Sequence, residues 1–466
     1  MNKSSVVNSV SKAARKYEGY LYPLSFAITA VMINLQFFLG LMYEPNPVFT
    51  ALNVLAAAIC SLWTLYLLIR VWLEDRHGRK YLVMTAAVLL LYVTGYIIAL
   101  VNYGLDESIR KQLSTFVLYG PFALFAGALI GLKRKEADFF RFAEVFCYLS
   151  LPLSVHYVAL LLTNMNPYDN GGIGIVHYMQ LSYAFMPMLF FMTVMVVMRD
   201  ATRTNTHFKW VNALRAFCII IYWLLILGTA TRGTILGVLL FYGLYFVMLI
   251  VTKQRINRLV MVGSVVFTMF LLVTYAVDLP GLNRLTRMNE LTSNLAEGEL
   301  VSAEDAEAVQ EVDLDTVVAA DDAEDYGYVI GKTVKNRTTI FTLAWKEALK
   351  SPLTGMGPFG FTEKYGSYPH NFVLELLSEL GLIIGGLALA SILYCFIKLL
   401  LNCRRDPAMG IILVFLCGYL VQLMVSGTVW AKPVMMFGIG YSLCCRPRIR
   451  RRQPAEEDAA ERSDGD

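Results

Sequence analysis

Charge is scarce in this sequence. Only 16% of its 466 residues are Asp, Glu, Lys or Arg, against about 25% in ordinary soluble domains. With 57% hydrophobic residues, a water-soluble globule is excluded and a membrane protein is indicated. Cysteine is present but unpatterned. Positions 60, 147, 218, 395, 403, 417, 444 and 445 fall in apolar runs or beside them, and no CxxC or Cys/His ligand spacing occurs, so neither a disulfide framework nor a zinc site is expected. Cys444 and Cys445 read as small filler at a helix end. Histidine occurs five times, and no Cys or Asp lies near His370 to complete a Ser- or Cys-type triad. No cleavable signal peptide is expected: the polar start to Glu18 runs into an apolar stretch too long for a signal core.

Long apolar runs dominate what is present. A membrane span needs about 20 such residues. Runs occur near 20–42, 48–69, 81–102, 113–132, 142–163, 177–198, 211–230, 233–251, 259–277, 371–397, 408–427 and 430–445. The expected fold is therefore all-α and integral to the membrane, with about twelve helices: nine in 1–277, three in 371–445, and a tail at 446–466. Every second connection is basic. Lys12, Arg15 and Lys16 precede the first run; Arg76, Arg79 and Lys80, then Lys133, Arg134 and Lys135, then Arg199 and Arg203, then Lys253 and Arg255, then Arg404 and Arg405 follow later ones. Basic loops stay in the cytoplasm, which places both termini there and the alternate loops outside.

One outer loop is large, at 278–370. Its segment at 290–325 carries thirteen acidic residues and no Lys or Arg and has no helical or strand period, as in disordered tracts. No spaced calcium-loop pattern appears in it. A helical period returns at 337–350, where Phe341, Trp345, Ala348 and Leu349 form an apolar side, while Arg337, Lys346, Glu347 and Lys350 occupy much of the remainder. This is expected to lie on the membrane or on the spans. The loop ends in a Gly/Pro-rich stretch, Gly355 to Gly360, then Tyr368, Pro369, His370 and Asn371, which open the next apolar run.

Candidate functional residues follow from this layout. Arg232 sits in the tight turn of an otherwise apolar hairpin, flanked by Thr229, Thr231, Gly233 and Thr234. It is either a snorkelling interfacial residue or an anion ligand assisted by the amides of the helix it begins. Arg337 is either a headgroup contact or a second anion ligand, and Arg284 and Arg287 are weaker candidates of the same kind. His370 is a helix-cap residue or a general base, since imidazole titrates near neutrality. Glu375 and Glu379 share one helix face four residues apart and are expected to face the interior with a basic partner. His156 and His177 read as satisfied core residues, and His77 and His207 as loop residues.

These positions resemble the O-antigen ligase and O-antigen polymerase superfamily. The resemblance rests on Thr231, Arg232 and Gly233 in a hairpin turn, and on Arg337 leading to Trp345 and to Pro352 through Gly357. It rests also on His370 and Asn371 followed by Leu374, Glu375, Glu379 and Gly381. It covers roughly 211–427; the earlier spans agree only in hydropathy, and the acidic segment departs from the pattern. The resemblance implies a GT-C-like polytopic glycosyltransferase acting on polyprenyl-diphosphate-linked glycans, metal-independent, inverting and without a cofactor. By the resemblance Arg232 and Arg337 would hold the diphosphate and His370 would activate the acceptor hydroxyl; Arg284, Arg287 and Glu375 stand beside them as candidate substrate contacts from their placement alone. Implied partners are the lipid-linked oligosaccharide, the bilayer, a flippase and a chain-length regulator; no nucleic acid is expected. A polymerase is the leading expectation and a ligase the alternative. A secondary transporter is the reading from a different class, weakened by the lack of repeated halves.

Overall fold

The computed structural model describes residues 47–105, 107–162, 172–173, 176–197, 209–228, 232–252, 337–425, 428–431 and 433–446. The expected runs at 20–42 and 259–277, the acidic segment, Arg284 and Arg287 lie outside them. Among the described residues the fold is helical, apart from a two-stranded hairpin, Gly172–Ile173 against Val176–His177. In chain order the helices are α1 (Pro47–Glu74), α2 (Arg76–Tyr103), α3 (Glu107–Lys133), α4 (Glu136–Leu162), α5 (Tyr178–Val197), α6 (Lys209–Gly228) and α7 (Arg232–Thr252). Later in the chain come α8 (Arg337–Lys350), α9 (Gly360–Tyr365), α10 (Phe372–Asn402), α11 (Pro407–Val425), a 3₁₀ turn (Val429–Ala431) and α12 (Pro433–Cys444). Each expected run from 48–69 onward, other than 259–277, coincides with one of these helices. Six described helices are long and apolar enough to cross a membrane, so the protein is a multi-pass membrane protein.

Local chemistry sets the helix ends. Asp75 caps α2, its carboxylate accepting from the amides of His77 and Gly78 at 3.0 and 2.9 Å. Gly104, at φ 71°, closes the same helix, a left-handed position that suits glycine. Asn371 caps α10 in the same way, accepting from Val373 and Leu374 at 3.0 and 3.3 Å. Pro121, Pro152 and Pro187 lie inside helices. Helices in a bilayer tolerate such prolines because neighbours re-satisfy the freed backbone groups.

Glycine brings the backbones together. A Cβ on Gly127 of α3 would lie 2.0 Å from the Phe437 carbonyl oxygen, and one on Gly440 of α12 would lie 1.8 Å from that of Leu124. Apolar surface gives no drive for association inside lipid, so close van der Waals contact between such small-residue faces takes its place. Helices α7 and α11 run antiparallel by the same device: Gly237 meets Gly418, while Gly410 meets Met248.

One end of the bundle is sewn by charge. Arg134, in the α3–α4 turn, pairs with Glu136 at 2.6 Å and Asp406 at 2.5 Å and donates to the Arg446 carbonyl. Tyr441 donates to Glu136 at 3.0 Å, and Lys398 donates to the Leu443 carbonyl at 2.9 Å. The α3–α4 turn, the α10–α11 turn and the end of α12 are thereby joined. Cys444 and Cys445 are buried here, and both are free thiols, in keeping with their reading as filler.

Candidate functional site

The opposite end holds the loop that carries His370. After α8, the chain crosses α10 where that helix breaks at Gly381 (φ 76°, ψ 170°), a conformation essentially confined to glycine. The loop backbone takes over the hydrogen bonds that the break exposes. Met356 N donates to Ser378 O at 3.0 Å and Gly357 N to Glu379 O at 2.7 Å, while Ile383 N donates to Pro352 O at 3.1 Å. Gly355 and Gly357 have φ of 62° and 88°. A Cβ on Gly357 would lie 2.5 Å from the backbone of Ala99 on α2, so the Gly-Met-Gly spacing serves both turn geometry and close approach. Asn102 of α2 adds a bond from its amide to Met356 O at 3.1 Å.

Downstream, Phe359 and Gly366 bracket the short helix α9 in left-handed conformations, and Pro369 leads into His370. His370 itself has φ 54°, uncommon for a residue with a side chain and worth about 1–3 kcal/mol of strain. Its ring lies 4.0 Å, centroid to centroid, from that of Tyr368. The imidazole is half-buried at the mouth of α10, held between a proline and the capping Asn371.

Beneath it sit Glu375 and Glu379, both buried and on one face as expected. Their partners differ from the expectation. Among the described residues no Lys or Arg pairs with either. Glu375 accepts from Val429 N at 3.0 Å, and Glu379 accepts from the Trp430 indole at 2.5 Å. Tyr92 and Tyr96 of α2 each set an edge against Trp430, with centroids 5.5 Å apart. The carboxylates are met by an amide and an indole donor because the 3₁₀ turn, not a basic helix, packs on this face. Trp430, Tyr92 and Tyr96 escaped the sequence reading. The only signal was a tryptophan at a helix end, which is also the ordinary signature of a membrane interface.

Helix α8 turns inward a stripe that the sequence reading did not single out. Its buried face is Ile340, Leu343, Ala344, Glu347 and Ala348, whereas Trp345 and Leu349 of the expected apolar side are 46% and 53% exposed. Ile340, Leu343 and Ala344 pack with Met356, Phe361, Tyr365 and Leu374. The charge of Glu347 hid this stripe, since a carboxylate there reads as solvent-facing. It is buried with partners: Tyr365 OH donates at 2.7 Å, Lys350 at 2.9 Å and Lys364 at 3.2 Å. Burial pushes this carboxyl up, but the three donors outweigh it and hold the group below the usual carboxylate range. His156 differs as well, being exposed rather than a core residue.

The arginines are placed by their backbones. Arg232 is the first residue of α7, and the antiparallel register with α11 puts it at the end where Val425 leads to Val429 and hence to Glu375. Arg337 is the first residue of α8, one turn before Ile340, whose cluster includes Leu374. The backbones of Arg232, Arg337 and His370 thus lie at one end of the bundle, and two of the three open helices. The side chains of both arginines, like Arg284 and Arg287 entirely, lie outside the described part of the structure.

A helical bundle with a broken helix and a constrained, histidine-bearing loop at one end defines the class as a multi-pass membrane protein with a built polar site at that end. Residues 217–390 match the family model described as O-Antigen ligase. The matched part runs from α6 through the break in α10 and contains Arg232, Arg284, Arg287, Arg337, His370 and Glu375; over that stretch the chain is similar to the family. No curated protein matches the chain.

Proposed function

We propose that the protein is a polysaccharide polymerase. It moves a glycan from a polyprenyl-diphosphate carrier onto a hydroxyl of another lipid-linked unit, at the outer face of the cytoplasmic membrane. His370 takes the proton of the attacking hydroxyl. The acceptor oxygen then bonds to the anomeric carbon from the face opposite the diphosphate, which leaves with the electron pair of the broken C–O bond and gives inversion. Arg232 and Arg337, aided by the positive N-terminal ends of α7 and α8, hold that leaving group as its charge builds. Arg284 and Arg287 are secondary diphosphate contacts. Glu375 acts from within, fixing the 3₁₀ turn against α10 beneath His370. A flippase supplies the donor, and a chain-length regulator sets how far extension runs.

The observation that carries this reading is His370 itself: an imidazole on strained backbone, next to the helix cap Asn371, at the end of the bundle where α7 and α8 begin. A second reading, transfer to a lipid A core or other acceptor, is favoured by the description of the matching family as a ligase. Purified protein incubated with an undecaprenyl-diphosphate-linked oligosaccharide separates the two. A ladder of products supports the polymerase, a single shifted product on an added acceptor supports the ligase, and unchanged lipid overturns both.

A further inference from the structure

Helices α5, α7 and α11 meet in layers one turn apart. In the first, Phe190 stacks on Phe241 with centroids 3.8 Å apart and meets Phe415 edge-on. In the second, Gly237 faces the Gly418 backbone and the sulfur of Met186. One further turn toward the end that bears His370, the same faces carry Ser182, Thr234 and Gln422, four residues from Met186, three from Gly237 and four from Gly418.

This third layer is polar, and each of its side chains is fully buried, at 0% exposure. Among the described residues, the Ser182 and Thr234 hydroxyls and both polar atoms of the Gln422 amide have no hydrogen-bond partner. Buried polar atoms are almost always paired, and an orphaned one is costlier still in a membrane, where no solvent competes for it. Four such atoms on the facing sides of three packed helices form a set open to a polar ligand. Two hydroxyls and a carboxamide, each able both to donate and to accept, suit a neutral hydroxyl-rich group rather than an ion. Thr234 lies two residues into the helix that Arg232 opens, so the layer sits directly inside the leaving-group end of the site.

We propose that Ser182, Thr234 and Gln422 form a subsite for a sugar hydroxyl of the lipid-linked glycan. It is shut in this structure and is reached by parting the ends of α7 and α11. The inference rests on the glycosyl-transfer reading above and assigns that site its glycan-recognition element, distinct from the arginines that face the diphosphate.

The test compares wild type with Gln422→Met, which keeps volume and removes both polar atoms, and with the near-isosteric Thr234→Val. Full-length protein in nanodiscs is titrated directly with two probes: undecaprenyl diphosphate without sugar, and the same carrier bearing an oligosaccharide. The expected result is at least a tenfold loss of affinity for the glycan-bearing lipid in either variant. Affinity for the bare carrier and the thermal midpoint should be unchanged, or the midpoint raised. Equal affinities of wild type and variants for both lipids would overturn the proposal and leave a seam that holds water only. Parallel loss of both lipids with a lowered midpoint would also overturn it, as a packing role. Binding is read without turnover, so a wild type that binds but does not extend the glycan sinks the polymerase and leaves this result standing.

Discussion

Replacing Gly381 by alanine tests whether the break in α10 positions the loop that carries His370. The backbone there (φ 76°, ψ 170°) costs a residue with a Cβ about 1–3 kcal/mol. The added methyl would stand 2.7 Å from Pro352 O and 2.9 Å from both Gly355 N and the Leu353 carbonyl carbon. All three are backbone atoms of the docked loop, so no side chain can swing aside. The relief available is undocking, which gives up the three loop–helix hydrogen bonds at 3.0, 2.7 and 3.1 Å, each worth about 0.5–1.5 kcal/mol. Those bonds resist undocking, so the mutation shifts docked against undocked by the backbone cost and the clash, at least about 1–3 kcal/mol, or about 5–150-fold. Gly386→Ala, one and a half turns away in the same helix, is the control. No atom lies within 4 Å of its Cβ, so it should be silent, or stabilising by up to about 1 kcal/mol. Hydrogen exchange across 352–361 and glycan extension are the assays. Gly381→Ala should lose protection there and lose most activity, with Gly386→Ala like wild type. Full protection and full activity in Gly381→Ala would refute the claim that the loop depends on the break.

Three further outcomes are expected. His370→Ala and His370→Gly should both lower glycan extension by about 10²–10⁴-fold, the usual worth of a general base; if the glycine variant stays active, the left-handed backbone matters rather than the imidazole. Arg232→Lys keeps the charge but loses the two-pronged guanidinium, so turnover should fall at least about tenfold, and unchanged turnover would identify a snorkelling residue instead. Because the Glu347 carboxyl is held below its ordinary value of 4.5, its stabilisation is full above that pH and is lost as pH falls through the lower folded value. Glu347→Gln should therefore lower the thermal midpoint at pH 7 and match wild type in strong acid. Its cost is about 1–2 kcal/mol, kept small because Lys350 and Lys364 are half-exposed; a difference between the two proteins that persists undiminished in acid would contradict this.

The sequence alone determined the membrane class, the helical runs and the residues around His370. These properties are local: run length against bilayer thickness, the charge of each connection, and the Gly, Pro and Asn that shape a turn and cap a helix. The tertiary structure decided what the buried polar groups meet. Trp430 reaches Glu379 across 51 positions and Asn102 reaches Met356 across 254, contacts fixed by where glycine lets backbones touch. It also decided which face of α8 turns inward, since a carboxylate counts as surface until Tyr365 and two lysines are brought to it. The unpartnered layer of Ser182, Thr234 and Gln422 became visible only once three helices were set in register. Hydropathy reads each residue alone, whereas the energy of a buried polar atom depends on what stands opposite it.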